Sequence, residues 1–276
     1  MPTQADGLLK IVSDANPETT DVLGVVERDP ALTAMVLRLV NSASFGLRTQ
    51  VSSLRQAVVL LGLSHLRSLA LAASMSQLFA ADSGDGDSAW EHAFAVACGA
   101  RAVALEVAPE HGESAFAAGM LHDIGALVIS SSFASAAMMA EANCAVSGTS
   151  RLTAEQEALG CDHGELGGAL CERWGLPATL TAAVAMHHRH TEVLGADDRD
   201  ASRLAGLIAT AEALCVAFGL AAGDGEAGLA GASDAAIDPL ASLEALGSSR
   251  PDAMAMRVRD DIERHVGAGG LIKAKR

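Results

Sequence analysis

Apolar residues recur along this chain at helical spacing, and no stretch alternates apolar and polar residues with the period of two expected of a strand. After Asp29-Pro30, which suits a helix start, the apolar positions Leu32, Met35, Val36 and Leu39 lie on one helical face. Tyrosine is absent and aromatic residues make up only 3% of the chain. The sequence therefore predicts an all-α fold.

Helix start and stop signals divide the first part of the chain. Ser53 and Gln56 are spaced as a capping box ahead of an apolar run, Gly62 is expected to end that helix, and Ser64 is expected to cap the next one. The polar, glycine-rich stretch 82–88 is the best candidate linker.

Later helices are predicted from the same signals. Asp162 and Glu165 bracket His163 as a capping pair, which places His163 in the first turn of a helix. Pro177 is expected to open another helix that ends near the HHRH sequence. The remaining predicted helices run from about 89 to 107, 114 to 129, 133 to 146, 203 to 218 and 251 to 265.

Four short clusters of histidine and aspartate are the strongest functional signal. They are His92, His122-Asp123, His163 and His187-His188. Imidazoles and carboxylates are ligands of divalent metals, and these clusters could meet only if several helices packed together. Any one of these histidines taken alone is better explained as a surface or satisfied core residue. As a set, they favour a buried multi-histidine site inside a helical bundle.

The charge is strongly acidic but unevenly distributed. A formal net charge of -15 argues against non-specific binding of nucleic acid. Yet the segment 30–81 contains no Asp or Glu, while it includes Arg38, Arg48, Arg55 and Arg67. This local basic surface can meet an acidic partner or an anionic signal. The alternative is that the four arginines are solvated and only cover helix surfaces with their stems.

Nothing in the sequence predicts a membrane span or a secretory signal. Half of the residues are hydrophobic, but no uninterrupted apolar run approaches the length of a span. The first twenty residues lack a basic segment followed by an apolar one. We therefore expect a cytoplasmic protein.

Two stretches carry a family resemblance. The sequence DPALTAMVLRLVNSASFG, followed by SSLRQAVVLLGLSHLRSLAL, resembles the N-terminal half of the HDOD domain, the HD-related output domain of bacterial signalling proteins. Then AFAAGMLHDIGALVI, DHGELGGALCERWGLP and AVAMHH resemble the HD-like half, in the same order. The resemblance implies an N-terminal helical bundle over 1–85, an HD-like helical domain over 86–222, and a C-terminal loop and helix over 223–276.

The resemblance also implies a metal site like that of HD-GYP cyclic dinucleotide phosphodiesterases. It implies that the ligands of one or two iron, manganese or zinc ions are His92, His122, Asp123, His163, His187, His188 and, in place of the family's last aspartate, Glu212.

Three departures from the HD-GYP pattern concern phosphate handling and one ligand. Ala126 stands where those enzymes have a lysine, RHTEVLG replaces the GYP stretch, and Ser88 replaces a glutamate ligand. Hydrolysis needs electrostatic stabilisation of the phosphate as well as a metal, and losing the former costs several kcal/mol, on the order of a thousandfold in rate.

Three functions remain open at this point. The first is a non-catalytic regulator that passes its state to a signalling partner. The second is a metal-dependent phosphodiesterase acting on cyclic di-GMP or a related nucleotide, and the third is a metal or nucleotide sensor without turnover. The departures favour a regulator or sensor, since function follows from the site and not from the fold.

Overall fold

The computed structural model describes residues 19–28, 30–41, 50–80, 86–189, 199–220 and 237–269. Every regular element within those ranges is a helix, which confirms the predicted all-α fold.

Four helices of the described residues form the N-terminal part. They are α1 (Thr19–Glu27), α2 (Pro30–Val40), α3 (Leu54–Leu61) and α4 (Leu63–Ala80). The Ser53 hydroxyl accepts a hydrogen bond from the Gln56 backbone, and Gly62 ends α3 with a φ of 83°, as predicted. The prediction for Ser64 was wrong, because α4 begins at Leu63.

From position 86 onward, the described ranges contain ten further helices and one 3-10 turn. They are α5 (Gly86–Val107), the turn Pro109–His111, α6 (Gly112–Leu121), α7 (Ile124–Ser132), α8 (Ala134–Ser147), α9 (Arg151–Leu159), α10 (His163–Arg173), α11 (Ala178–Ala185), α12 (Arg199–Phe218), α13 (Pro239–Ala245) and α14 (Pro251–Gly269). Because α5 begins at Gly86, the predicted linker is shorter than expected, and its first residues, 82–85, lie outside the described residues.

Helix α5 is the central element of the fold. Its 22 residues pack against α4, α6, α12 and α14. Near its start, the Trp90 ring stacks on Phe94 with ring centroids 5.0 Å apart, while the indole N–H donates to the Ala72 carbonyl of α4. One continuous apolar cluster includes residues of both the N-terminal helices and the helices that follow. The division into three domains stays a prediction.

Asn41, directly after α2, makes hydrogen bonds through its side chain. Its side-chain amide donates to the carbonyls of Leu37 and Val51, and its Oδ1 accepts from the Val51 N–H at 2.7 Å. These bonds all lie within the N-terminal part and connect the end of α2 to Val51, shortly before α3. Residues 42–49, including Arg48, lie outside the described residues.

The predicted helix 114–129 is in fact two helices. The helical conformation is interrupted at His122-Asp123. Asp123 occupies the N-cap position of α7 but makes no side-chain capping bond. An aspartate at this position normally caps the helix. Its carboxylate instead faces a group of histidines, so the helix break lies within the candidate site.

Two helical stretches, Pro109–Ser132 and Arg199–Phe218, are long and apolar enough to span a membrane by length and composition. In each, more than half of the most apolar window is buried inside the protein, at 61% and 67% respectively. Core helices of globular proteins pass the same test, and burial on this scale is what such helices show.

Candidate metal centre

Separate helices bring the predicted ligands into one pocket. The contributing positions are His92 on α5, His122 and Asp123 at the α6–α7 break, His163 at the start of α10, His187 and His188 after α11, and Glu212 on α12. The predicted convergence is therefore observed, while metal binding by these residues stays a prediction.

The Asp123 carboxylate lies at the centre of the pocket. Its Oδ2 is 3.4 Å from the Nε2 of His122 and 3.6 Å from the Nε2 of His92. Its Oδ1 is 3.6 Å from the Nε2 of His163 and 3.9 Å from the Nε2 of His187. Each carboxylate oxygen thus faces a different pair of imidazoles, the arrangement expected of a ligand that bridges two positions.

The ligand atoms form two groups within which every pair lies within 4.8 Å. One group consists of Asp123, His163, His187 and His188, and the other of His92, His122 and Glu212. In the first group, the Nε2 atoms of His163 and His188 are 2.8 Å apart. Two neighbouring ligands of an ion at about 2.0–2.1 Å lie on the order of 3 Å apart, so this spacing suits a shared ion.

Backbone carbonyls orient two of the histidines. The Nδ1 atoms of His122 and His187 each lie 2.7 Å from a carbonyl three residues earlier, that of Gly119 and of Val184. A carbonyl only accepts, so Nδ1 is protonated and Nε2 is the ring nitrogen that faces Asp123. Both Nε2 atoms are buried and make no hydrogen bond within the protein. Buried polar atoms are rarely left without a partner, so the residues present fit a bound cation.

A carboxylate orients a third histidine. Glu155 on α9, only 2% exposed, has its Oε2 2.7 Å from the Nδ1 of His163 and accepts from the His163 backbone N–H at 2.8 Å. Arg151, one turn earlier, donates from Nε to the other oxygen at 2.8 Å. Sequence reasoning missed both residues. The available signal was the Arg-to-Glu spacing of four, which usually marks an exposed helical ion pair.

The start of α10 is fixed as predicted. Asp162 and Glu165 form a reciprocal capping box around His163. Arg189, directly after the paired histidines, makes ion pairs with both carboxylates. The turn that contains His187 and His188 is thereby tied to the helix that begins with His163.

Gly125 allows α7 to approach α10 closely. A Cβ at this position would lie 2.0 Å from the carbonyl oxygen of His163 and 2.8 Å from the backbone nitrogen of Gly167. Real Cβ atoms do not come this close to backbone, so any side chain here would push the two helices apart. The glycine of the HDIG sequence therefore determines the distance between Asp123 and His163.

The electrostatics follow from burial and from Asp123. Burial and the neighbouring His122 lower the pKa of His92 to about 4, and burial and His163 lower the pKa of His188 to about 3. Burial also acts to lower the pKa of His122, but the charge of Asp123, its hydrogen bond, the charge of Glu212 and the Gly119 carbonyl together outweigh burial and raise that pKa to about 9. Burial raises the pKa of Glu212. In the metal-free protein, His92 and His188 are therefore neutral near pH 7, the form that binds metal.

The positions that depart from the HD-GYP pattern are only partly described. Ala126 is buried on α7, at 2% exposure. Ser88 lies within α5, but its side chain is outside the described set, as are residues 190–198, which contain the rest of RHTEVLG.

Comparison with known proteins gives a family and several related folds. A solved HDOD domain protein of unknown function from Geobacter sulfurreducens superposes with a TM-score of 0.77 at 22% identity, covering 98% of this chain and 91% of that one. A candidate phosphohydrolase from Shewanella amazonensis gives 0.68 at 26% identity, covering 95% and 94%. A proposed signal transduction protein from Marinobacter aquaeolei gives 0.74 at 22%, covering 99% and 58%.

A curated, uncharacterised protein from Treponema pallidum is 24% identical over 198 residues, which make up 68% of this chain and 37% of that protein. The chain thus matches little more than a third of that relative's length. The model of the HDOD domain matches residues 1–190, well over half of the chain. The chain belongs to the HDOD domain family.

Proposed function

We propose that this protein is a bacterial signal-transduction regulator of the HDOD type, acting in the cytoplasm, whose His/Asp pocket binds divalent metal without hydrolysing a phosphodiester. One observation supports metal binding above all. The rings of His122 and His187 are held through Nδ1 by backbone carbonyls, and their buried Nε2 atoms make no hydrogen bond and face the Asp123 carboxylate. A cation is the partner that such an arrangement suits best.

The pocket suits two ions. Asp123 would bridge them, with His163, His187 and His188 on one side. The other side would consist of His92, His122 and Glu212. A donor set of imidazoles and carboxylates suits iron, manganese or zinc.

The absence of turnover is inferred from the residue at position 126. Ala126 is buried and neutral, so it offers no charge to a phosphate where an enzyme of the HD-GYP type has lysine. Metal ligands alone do not stabilise all of the charge that develops on a transferred phosphoryl group. We propose that the pocket senses a metal ion or uses it to stabilise the protein, and that the helices relay the state of the pocket to a protein partner.

The basic stretch of the N-terminal helices is the candidate docking surface. Arg38 and Arg55 are exposed on α2 and α3, and Arg67 is half-buried on α4. An acidic partner or an anionic signal would be attracted by this charge, in a protein that is otherwise acidic.

A metal-dependent phosphodiesterase acting on a cyclic dinucleotide is the second candidate. One observation favours it: Arg151 is a mostly buried cation close enough to Asp123 and His188 to influence the pKa of His188. Its charge could in part replace the missing lysine. The description of the Shewanella relative as a candidate phosphohydrolase points the same way.

Turnover of cyclic di-GMP distinguishes the two functions. Protein loaded with manganese or iron is incubated with the nucleotide, beside an Asp123→Ala variant as the control. We expect both proteins to release product at the same background rate. Hydrolysis by the wild type that disappears in Asp123→Ala would refute the regulator and establish the enzyme.

A further inference from the structure

His163 differs from the two neighbouring histidines in what holds its ring. His122 and His187 donate to neutral backbone carbonyls, whereas the Nδ1 of His163 lies 2.7 Å from the Glu155 carboxylate. A carboxylate partner makes an imidazole a stronger electron donor than a carbonyl does, because the negative charge favours positive charge on the ring. The nitrogen whose strength as an electron donor increases is Nε2, which faces the pocket.

Glu155 is itself held from three sides. The same oxygen that faces the His163 ring accepts from the His163 backbone, and the other oxygen accepts from Arg151 at 2.8 Å. A buried carboxylate with charge-assisted bonds to both oxygens stays ionised and keeps one orientation.

We propose that Glu155 is a positioning residue for one of the two metal positions, and that Arg151 keeps it in place. Glu155 holds His163 with Nδ1 protonated and Nε2 unprotonated towards the pocket, and it strengthens Nε2 as an electron-pair donor. This inference rests on the proposed metal binding.

The effect should be confined to one side of the pocket. His163 belongs to the group with Asp123, His187 and His188, whereas the hydrogen bonds of Glu155 go to His163 and Arg151. Removing Glu155 should therefore weaken the binding of the ion on the His163 side and leave the ion on the opposite side bound.

The test is a competition between the protein and a chromophoric chelator for zinc, with Glu155→Gln and Glu155→Ala compared with the wild type. Partners of this kind typically contribute about 10- to 100-fold to metal affinity. We expect Glu155→Gln to lower the affinity roughly tenfold, because the amide oxygen still accepts a bond but lacks the charge, and Glu155→Ala to lower it more. Glu157→Gln, an exposed position on the same helix, is the matched control and should bind as the wild type does.

A second measurement separates positioning from general damage. Nitrogen NMR of the metal-free protein reports which ring nitrogen of His163 carries the proton, with His163→Gln used to assign the signal. We expect Nδ1 protonation in the wild type and in Glu155→Gln, and a mixture of tautomers in Glu155→Ala. If Glu155→Ala does not fold, the zinc affinity of Glu155→Gln alone tests the role of Glu155, since this variant keeps the size of the side chain.

The outcomes distinguish this inference from the function on which it rests. Zinc that binds equally to the wild type and to Glu155→Gln, within about twofold, would refute the role of Glu155 and leave the metal site standing. A wild type that binds no zinc would refute the metal site itself. An affinity lowered in Glu155→Gln but not in Glu157→Gln, with one ion retained, would support the inference.

Discussion

The N-terminal helices α1 to α4 and the helices around the histidine pocket bury different kinds of side chain. In the described part of α1 to α4, the buried polar side chains are two serines, Ser68 and Ser74, and both make hydrogen bonds. The helices from α5 onward bury four histidines, together with Glu155 and Asp162. Three of those histidines have a buried ring nitrogen without a hydrogen bond, as described for His122 and His187 and also for His92.

This difference indicates a structural role for the N-terminal helices and a functional role for the pocket. Burying a polar group without a partner costs about 1–3 kcal/mol, so a core built only for stability avoids it. The apolar core of the N-terminal helices follows that rule, while three of the six buried side-chain atoms without a hydrogen bond among the described residues belong to the pocket. A cost concentrated in this way is typical of a functional site.

The largest effect on stability should come from the apolar region. Leu66 on α4 is fully buried, so Leu66→Ala should lower the free energy of unfolding by about 2–5 kcal/mol through lost burial and a cavity. Denaturant unfolding measures this change. The control is Leu60→Ala at a half-exposed position of α3, which should change it far less. A loss below 1 kcal/mol in Leu66→Ala would show that this core is not tightly packed.

A smaller effect on stability is expected where the two helices of the pocket touch. Gly125→Ala should cost about 3 kcal/mol, the upper part of the range for overpacking, because the new Cβ would meet the His163 backbone. It should also weaken metal binding, because Asp123 and His163 move apart. Unfolding in denaturant and zinc titration of the same sample measure the two effects. Normal metal affinity in Gly125→Ala would contradict the close packing described here.

Acid should destabilise the metal-free protein through the pocket. The pKa values of His92 and His188 lie at about 4 and about 3 when folded and near 6.5 when unfolded. The unfolded chain therefore binds protons first as the pH falls below about 6.5, and stability is lost over that window. Each histidine should contribute about 2 kcal/mol between pH 7 and pH 5.

The matched variant for this effect is the double substitution His92→Gln and His188→Gln, studied with a chelator present. Denaturant unfolding at several pH values should give a flatter profile than in the wild type. Equal slopes in the two proteins would show that these histidines are not buried in neutral form.

The smallest effect has the opposite sign and lies in the apolar region. Gly24 on α1 has open space around its Cβ position, so Gly24→Ala should add about 0.5–1 kcal/mol of stability through helix propensity. Thermal unfolding would show this as a small rise in Tm. A fall in Tm would indicate a contact at this helix that the structure does not contain.

The sequence predicted which residues meet in the pocket better than it predicted the contacts that orient them. The order of the motifs and the family resemblance identified the histidines, Asp123 and Glu212 that meet in the pocket. Spacing alone did not reveal the helix break at Asp123, since the apolar pattern continues through it. Glu155 was missed because nothing local to an Arg-x-x-x-Glu pair shows that tertiary packing will bury it.

The central claim is that the pocket binds metal, and metal analysis of the purified protein tests it most directly. The wild type and a double variant, His122→Ala with Asp123→Ala, are purified without chelators and compared for bound iron, manganese and zinc, with circular dichroism to confirm that both are helical. We predict one or two ions in the wild type and none in the double variant. Equal metal content in the two proteins would contradict the account.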